Sequence, residues 1–318
     1  VLMASQLPIV VCAKSLLDVF DNGATPAGLA LDAVVGGSPL NVAMGLVRMG
    51  QPAVFFGGVS RDFLGERILR SIRQEGIAED ALVLCDAPTT LSLVGVDAQG
   101  VPSYRFYGHA AADRQLLPEH LERLPAQVAA IHLGSYACVV PPVDATLRQL
   151  VEQRRADSVI AYDPNVRLNV EPDLGVWRQQ VDWMAHRCHL LKLSDEDFER
   201  LYPGLDPQAK AEEWLSLGVC LVMLTRGGSG ATAWKGGRRF DVPAPQVQVQ
   251  DTVGAGDTFQ AACLVALAEL GCLTPKALAD IGPEQVRQVL QFGVTAAAIT
   301  CTRRGPDLPR RAELPVLG

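Results

Sequence analysis

The chain has 318 residues, of which 48% are hydrophobic and 20% charged, with a formal net charge of −7. That length suits two ordinary domains or one large α/β unit, and the composition is that of a globular protein with a large core. The acidic balance and the absence of any Lys/Arg run exclude a nucleic-acid-binding surface, and no apolar stretch reaches the roughly 20 residues that span a bilayer.

In chain order, short apolar runs alternate with amphipathic segments. Pro8–Cys12, Ala53–Phe56, Ala129–Leu133, Ser158–Tyr162, His189–Leu193 and Val219–Thr225 predict strands, several of them apolar throughout, as strands covered on both faces are. Leu40–Met49, Phe63–Glu75, Val143–Arg155 and Ala209–Leu217 predict helices. This alternation predicts a mostly parallel sheet with helices on both sides. Residues 18–36 carry no helical pattern. Residues 89–107 read as two strands with a turn at Asp97–Gly100, either a small separate sheet acting as a lid or an antiparallel edge of the main sheet.

The eight cysteines are scattered with no C-x-x-C pair or zinc spacing, and read as reduced core thiols. The first residues, V-L-M-A-S-Q-L-P-I-V-V-C, lack the basic start of a secretory signal, so a cytoplasmic location is the expectation.

The densest chemistry is at 251–259, D-T-V-G-A-G-D-T-F. Apolar residues then recur at 259, 262, 263, 266, 267 and 270, one face of a helix. Gly254, Ala255 and Gly256 are therefore expected at its N-terminus, where free amides and the helix dipole hold an anion. Asp257, in the first turn, is expected to be ionised. It is either a base for an alcohol held against it or a simple complement to the dipole.

D-T-x-G-A-G-D-T-F resembles the C-terminal signature of the ribokinase (phosphofructokinase-B) family of carbohydrate kinases. G-G-S-P-L-N-V-A at 36–43, near the other end, resembles that family's N-terminal signature. The resemblance covers nearly the whole chain and is to fructokinase-like members. It implies an α/β three-layer sandwich, with a central mainly parallel sheet and a small β lid from about 18–36 and 89–108, as a single unit over 1–318. It also implies transfer of the ATP γ-phosphate to a sugar hydroxyl with Mg²⁺ and, in several members, a monovalent cation such as K⁺. Sugar and ATP are the implied partners, and a homodimer through the lid is a further implied option.

Carried over by position, the resemblance makes Asp257 the base and the Gly254–Gly256 amides the anion hole. Asp18, Gly36, Gly37 and Asn41 match sugar-binding positions, and Asn165 and Arg167 of D-P-N-V-R would face the phosphate or the far end of the substrate. Asn41 is alternatively an N-cap. Ser194 and Asp197 of K-L-S-D-E-D stand where many members have N-x-x-E, arranging Mg²⁺ through water, or else form a capping box. Thr225, Arg226, Gly227 and Gly230 of T-R-G-G-S-G match the nucleotide segment, or else a hairpin turn. Asp251 and the Val253 carbonyl match the monovalent-cation loop, completed by Thr300–Gly305.

The chain departs from the fructokinase-like pattern at Ala13-Lys14, where Gly-Glu is usual, at Ser60 in place of Gly, and at Gly108 in place of Arg. D-Fructose is the expected substrate, to give the 6-phosphate. Alternatives within the class are 2-keto-3-deoxygluconate and ribose, the first needing a cation that Lys14, Arg105 or Arg167 would supply. A catalytically silent sugar or nucleotide sensor is the alternative outside it.

Overall fold

The computed structural model describes residues 7–96 and 102–317; the expected turn at Asp97–Gly100 lies outside them. Fourteen strands occur among the described residues: β1 (Ile9–Cys12), β2 (Leu16–Thr25), β3 (Gly28–Gly36), β4 (Ala53–Phe56), β5 (Gly58–Ser60), β6 (Val83–Cys85), β7 (Leu91–Val96), β8 (Pro102–Tyr107), β9 (Ala130–Gly134), β10 (Val159–Asp163), β11 (Leu190–Ser194), β12 (Leu221–Thr225), β13 (Ala231–Lys235) and β14 (Arg238–Val242). Interleaved with them are α1 (Ser38–Arg48), α2 (Phe63–Glu75), α3 (Val143–Arg154), α4 (Leu174–Ala185), α5 (Asp195–Leu201), α6 (Pro207–Ser216), α7 (Ala255–Glu269), α8 (Pro275–Ala279) and α9 (Pro283–Cys301).

Eight strands make one sheet in the order β14-β13-β12-β11-β10-β9-β1-β4. Pairing is parallel from β4 to β12 and antiparallel at the β12-β13-β14 end. The continuous apolar runs are explained by burial on both faces. Ile9 and Val11 of β1 enter one apolar layer with α1, α7 and α9, while Val10 and Cys12 enter the other with α3, α4 and α6. Each such side chain contributes about 1.5–3 kcal/mol when fully buried.

The strands of 16–36 and 91–107 are not an edge of this sheet. They form a four-stranded sheet of their own, ordered β3-β2-β7-β8. β2 pairs with β7 in parallel, which sets Asp18 opposite Ser92. Leu16, Asp18, Phe20, Ser92, Val94 and Phe106 alternate along its strands and turn the same face to a cavity above the central sheet.

Candidate active site

The cavity measures about 900 Å³ and lies against the C-terminal ends of the parallel strands, where open α/β sheets hold ligands. Its volume suits a sugar and a nucleotide together. Asp257, Asn41, Asp18, Gly37, Asn165, Arg167, Ser194, Asp197, Thr225, Gly227, Gly230 and Gly254–Gly256 all line it. Residues from the first tenth and the last quarter of the chain thus converge on one space.

Helix α7 begins where the small residues predict. Gly254, its N-cap, has φ +79°, a left-handed conformation that costs a residue with a side chain. The first helical bond runs from the Thr258 amide to the Gly254 carbonyl. The Ala255 amide, however, donates to the Thr252 carbonyl at 3.2 Å, so the expected three-amide ring is reduced: the tight 252–255 turn uses Ala255 internally.

Asp257 points into the cavity wall and is held at both oxygens. Ser38 Oγ donates to Oδ1 at 2.6 Å, and Asn41 Nδ2 donates to Oδ2 at 2.8 Å. The two donors stand one turn apart on α1, which packs on α7. Burial pushes the Asp257 carboxyl above its ordinary value; the two hydrogen bonds and nearby Lys192 only partly offset this. The expectation from the dipole alone, a readily ionised group, is corrected by desolvation. Asn41 is not an N-cap, since α1 is capped by Gly37 with no side-chain bond. Its Oδ1 is buried with no partner among the described residues.

Asp18 enters from β2 through close contact with Gly36, where an added Cβ would lie 2.5 Å from Asp18 Oδ2. Gly36 thus admits Asp18 without lining the cavity itself. Burial raises the Asp18 carboxyl, opposed by Ser92, Lys14 and Arg167. Ser92, opposite Asp18 in register, is the side chain that does most to offset that burial.

At the floor, Lys192 Nζ and Asp163 Oδ2 form a buried ion pair at 2.7 Å. A Cβ on Gly256 would sit 3.3 Å from that Nζ, so the ammonium stands beside the start of α7. Asn165 has φ +41°, and its amide turns back to Asp163 Oδ1 at 3.2 Å. Ser194 caps α5, its Oγ accepting from the Asp197 amide at 3.1 Å, and still faces the cavity. Asp197 accepts from the Val166 amide and from Arg200, both at 3.2 Å.

The 225–230 segment serves as a hairpin connection and as cavity wall at once, linking β12 to antiparallel β13. Arg226 departs from the expectation. Its guanidinium turns away to Asp241 of β14 at 3.2 Å and does not line the cavity. Asp251 is likewise outside the wall. It accepts from the amides of Val253 (3.0 Å) and Gly305 (2.8 Å), drawing the 250–253 loop onto the 301–305 loop. Such amides occupy the lone pairs that a cation would share.

Ser38, Lys192 and Lys14 are cavity residues that no sequence expectation places in the chemical step. Ser38 carries a signal that was legible: on a helix it lies at i−3 to Asn41 and shares its face.

The sequence pattern of the pfkB family carbohydrate kinase matches residues 20–312. The chain belongs to this family. It is therefore a phosphotransferase acting on carbohydrate, with a ribokinase-like α/β fold. A fructokinase of Rhizobium leguminosarum bv. trifolii is 30% identical over 312 residues, spanning 96% of this chain and 91% of that protein. Fructokinase-1 of Oryza sativa subsp. japonica is 29% identical over 88% of the chain and 86% of that protein. Among solved structures, a fructokinase of Xylella fastidiosa with bound ATP superposes with a TM-score of 0.84 at 24% identity, covering 97% of this chain and 95% of the other. A fructokinase of Vibrio cholerae O395 in a form with fructose, ADP and calcium ion gives 0.80 at 21% identity, covering 95% of each.

Proposed function

We propose that this kinase transfers the γ-phosphate of ATP to a hydroxyl of a free ketohexose, D-fructose giving fructose 6-phosphate. The observation that carries the reading is Asp257: a carboxylate facing the cavity, clamped by Ser38 and Asn41, with Asp18 lining the same space. The fructokinase relatives support the choice of sugar.

In this reading Asp18, Asn41 and Ser92, a carboxylate and two neutral polar groups lining the cavity, hold the sugar by its hydroxyls. One hydroxyl faces Asp257. As its oxygen bonds to the γ-phosphorus, the bond from phosphorus to the ADP oxygen breaks and the hydroxyl proton passes to Asp257. Burial, by lifting the Asp257 carboxyl, makes it a better acceptor near neutral pH. The remaining amides at the start of α7, with Lys192 beside them, oppose the charge on the moving phosphoryl group. The nucleotide lies along Ser194, Thr225, Gly227 and Gly230, and the β3-β2-β7-β8 sheet acts as a lid that excludes water.

Among the described residues no group of three or more His, Cys, Asp or Glu side chains forms a metal cage. Asp163 and Asp197 instead face the cavity close enough for one charge to raise the other's carboxyl. That donor set fits Mg²⁺ carried on nucleotide phosphates and reached through water, and the metal would neutralise phosphate charge there.

The test is a coupled ADP-release assay with D-fructose and ATP, on the wild type and Asp257→Asn. The wild type should turn over. The variant should lose about 100- to 10,000-fold in kcat and keep fructose binding by calorimetry. Wild-type turnover retained in Asp257→Asn rejects the base assignment.

A further inference from the structure

The sugar side of the cavity contains a buried cation that the proposed transfer does not use. Lys14, which stands where fructokinase-like sequences have Glu, lines the cavity and is 2% exposed. Its Nζ donates to Ser135 Oγ at 3.1 Å and lies 4.4 Å from the centroid of the Tyr136 ring and 5.7 Å from that of Phe106. No carboxylate among the described residues lies within ion-pair distance of it. Asp113, the acid packed nearby, has its oxygens taken by Thr90 and Tyr136. Asp18 and Asp257 act on Lys14 only at longer range, and Arg167, a second cavity cation, opposes it.

Two other cavity cations are matched, Lys192 by Asp163 and Arg200 by Asp197 and Glu196, while Arg167 donates to the Val166 carbonyl and is only half-buried. A buried ammonium is normally paired, because an unpaired one loses its hydration without replacement. The backbone holds Lys14 in place at a cost. Ala13 has φ +97°, where the usual glycine would be unstrained, and Ser135 has φ +58°. Both partners of the Lys14–Ser135 contact thus sit on or beside left-handed non-glycine backbone, the kind of strain that marks ligand sites.

We propose that Lys14 and Ser135 form an anion subsite of the sugar pocket, and that the acceptor this kinase takes best is a keto sugar acid whose carboxylate rests on the Lys14 amine. The proposal rests on the kinase reading above and changes only the preferred acceptor. The carboxylate supplies the missing counter-charge and two acceptors, for Nζ and for the Ser135 hydroxyl. Burial lowers the Lys14 amine to about 7, and a bound anion favours its charged form.

The experiment compares kcat/KM for 2-keto-D-gluconate and for D-fructose in the wild type, Lys14→Met and Lys14→Arg. The wild type should favour the acid. The acid-to-fructose ratio should drop at least about tenfold in Lys14→Met and recover in part in Lys14→Arg. Should Lys14→Met not fold, Ser135→Ala, read by the same ratio, takes its place. A wild type that favours fructose, or a ratio the substitutions leave alone, overturns the subsite. If neither sugar is phosphorylated the kinase reading fails instead. Titration calorimetry of 2-keto-D-gluconate then judges the subsite separately: binding weakened in Lys14→Met upholds it, and equal or absent binding in both proteins rejects it.

Discussion

Asn41 Nδ2 donates to Asp257 Oδ2 at 2.8 Å, joining two residues 216 positions apart in the chain. With Ser38 on the other oxygen, the contact fixes the plane of the carboxylate and spends both of its inward-facing acceptor sites on neutral donors. Neutral donors favour the charged form without cancelling it, so they tune the proton affinity of Asp257.

That tuning can be read in a pH profile. Ser38→Ala removes one donor from the ionised carboxylate, and its pKa, already raised by burial, should rise further. The base is active only when deprotonated, so the acid limb of kcat/KM should move to higher pH by about one unit. A limb that stays in place would show that Ser38 does not act on Asp257.

Lys192 and Asp163 are both buried, at 4% and 6% side-chain exposure. Lys192→Met leaves Asp163 charged and unpaired, and should cost about 3–5 kcal/mol of stability. Thermal unfolding of the single variant and of Lys192→Met with Asp163→Leu separates the pair from its packing: the double variant should regain part of the loss. Its catalytic defect should persist, because Lys192 stands beside the start of α7.

His132 lies inside the central sheet, 1% exposed, and burial lowers its pKa to about 4 from 6.5. In the unfolded chain the imidazole takes a proton as pH falls below about 6.5, whereas in the folded chain it stays neutral. Stability should therefore fall with pH between these two values, by roughly 2 kcal/mol at pH 5 from this residue. In His132→Gln the drop in denaturant midpoint between pH 7 and pH 5 should be smaller. An unchanged drop would assign it to other groups.

Gly293 of α9 meets α7 closely. An added Cβ would lie 2.7 Å from Cys263 Sγ and 2.8 Å from Phe259 Cε2. Gly293→Ala gains helix propensity but overpacks this contact, for a net loss of about 1–2 kcal/mol and a few degrees in Tm. Phe259 lines the cavity two residues after Asp257, so the same change should lower kcat. Combining it with Cys263→Ala should restore part of the stability.

Ala53–Phe56 and Phe63–Glu75 are found with the bounds their patterns predict, because apolar runs and the Asp62 cap report purely local physics. The other predicted strands are shifted by one or two residues. The Asp257 segment was legible for the same local reason: small residues followed by helical periodicity. What escaped the sequence depends on register and distance. Arg226 finds Asp241 only because β12, β13 and β14 fold back on one another. Nothing in K-L-S-D-E-D or D-P-N-V-R shows that Lys192 and Asp163 pair, since adjacent parallel strands 29 residues apart bring them together. Helix α9 is missing from the sequence expectations because it is buried around much of its circumference, at Val286, Val289, Phe292, Gly293, Val294 and Ala296, which blurs any one-sided stripe.

The clamp on Asp257 also bears on synthesis. Ser38 and Asn41 leave the ribosome 219 and 216 residues before Asp257, so the clamp cannot form until the last part of the chain is made. Catalytic competence arrives only when α7 docks against α1, near the close of translation. A copy truncated before that point would lose the acid together with much of the apolar layer that α7 and α9 build beneath the sheet.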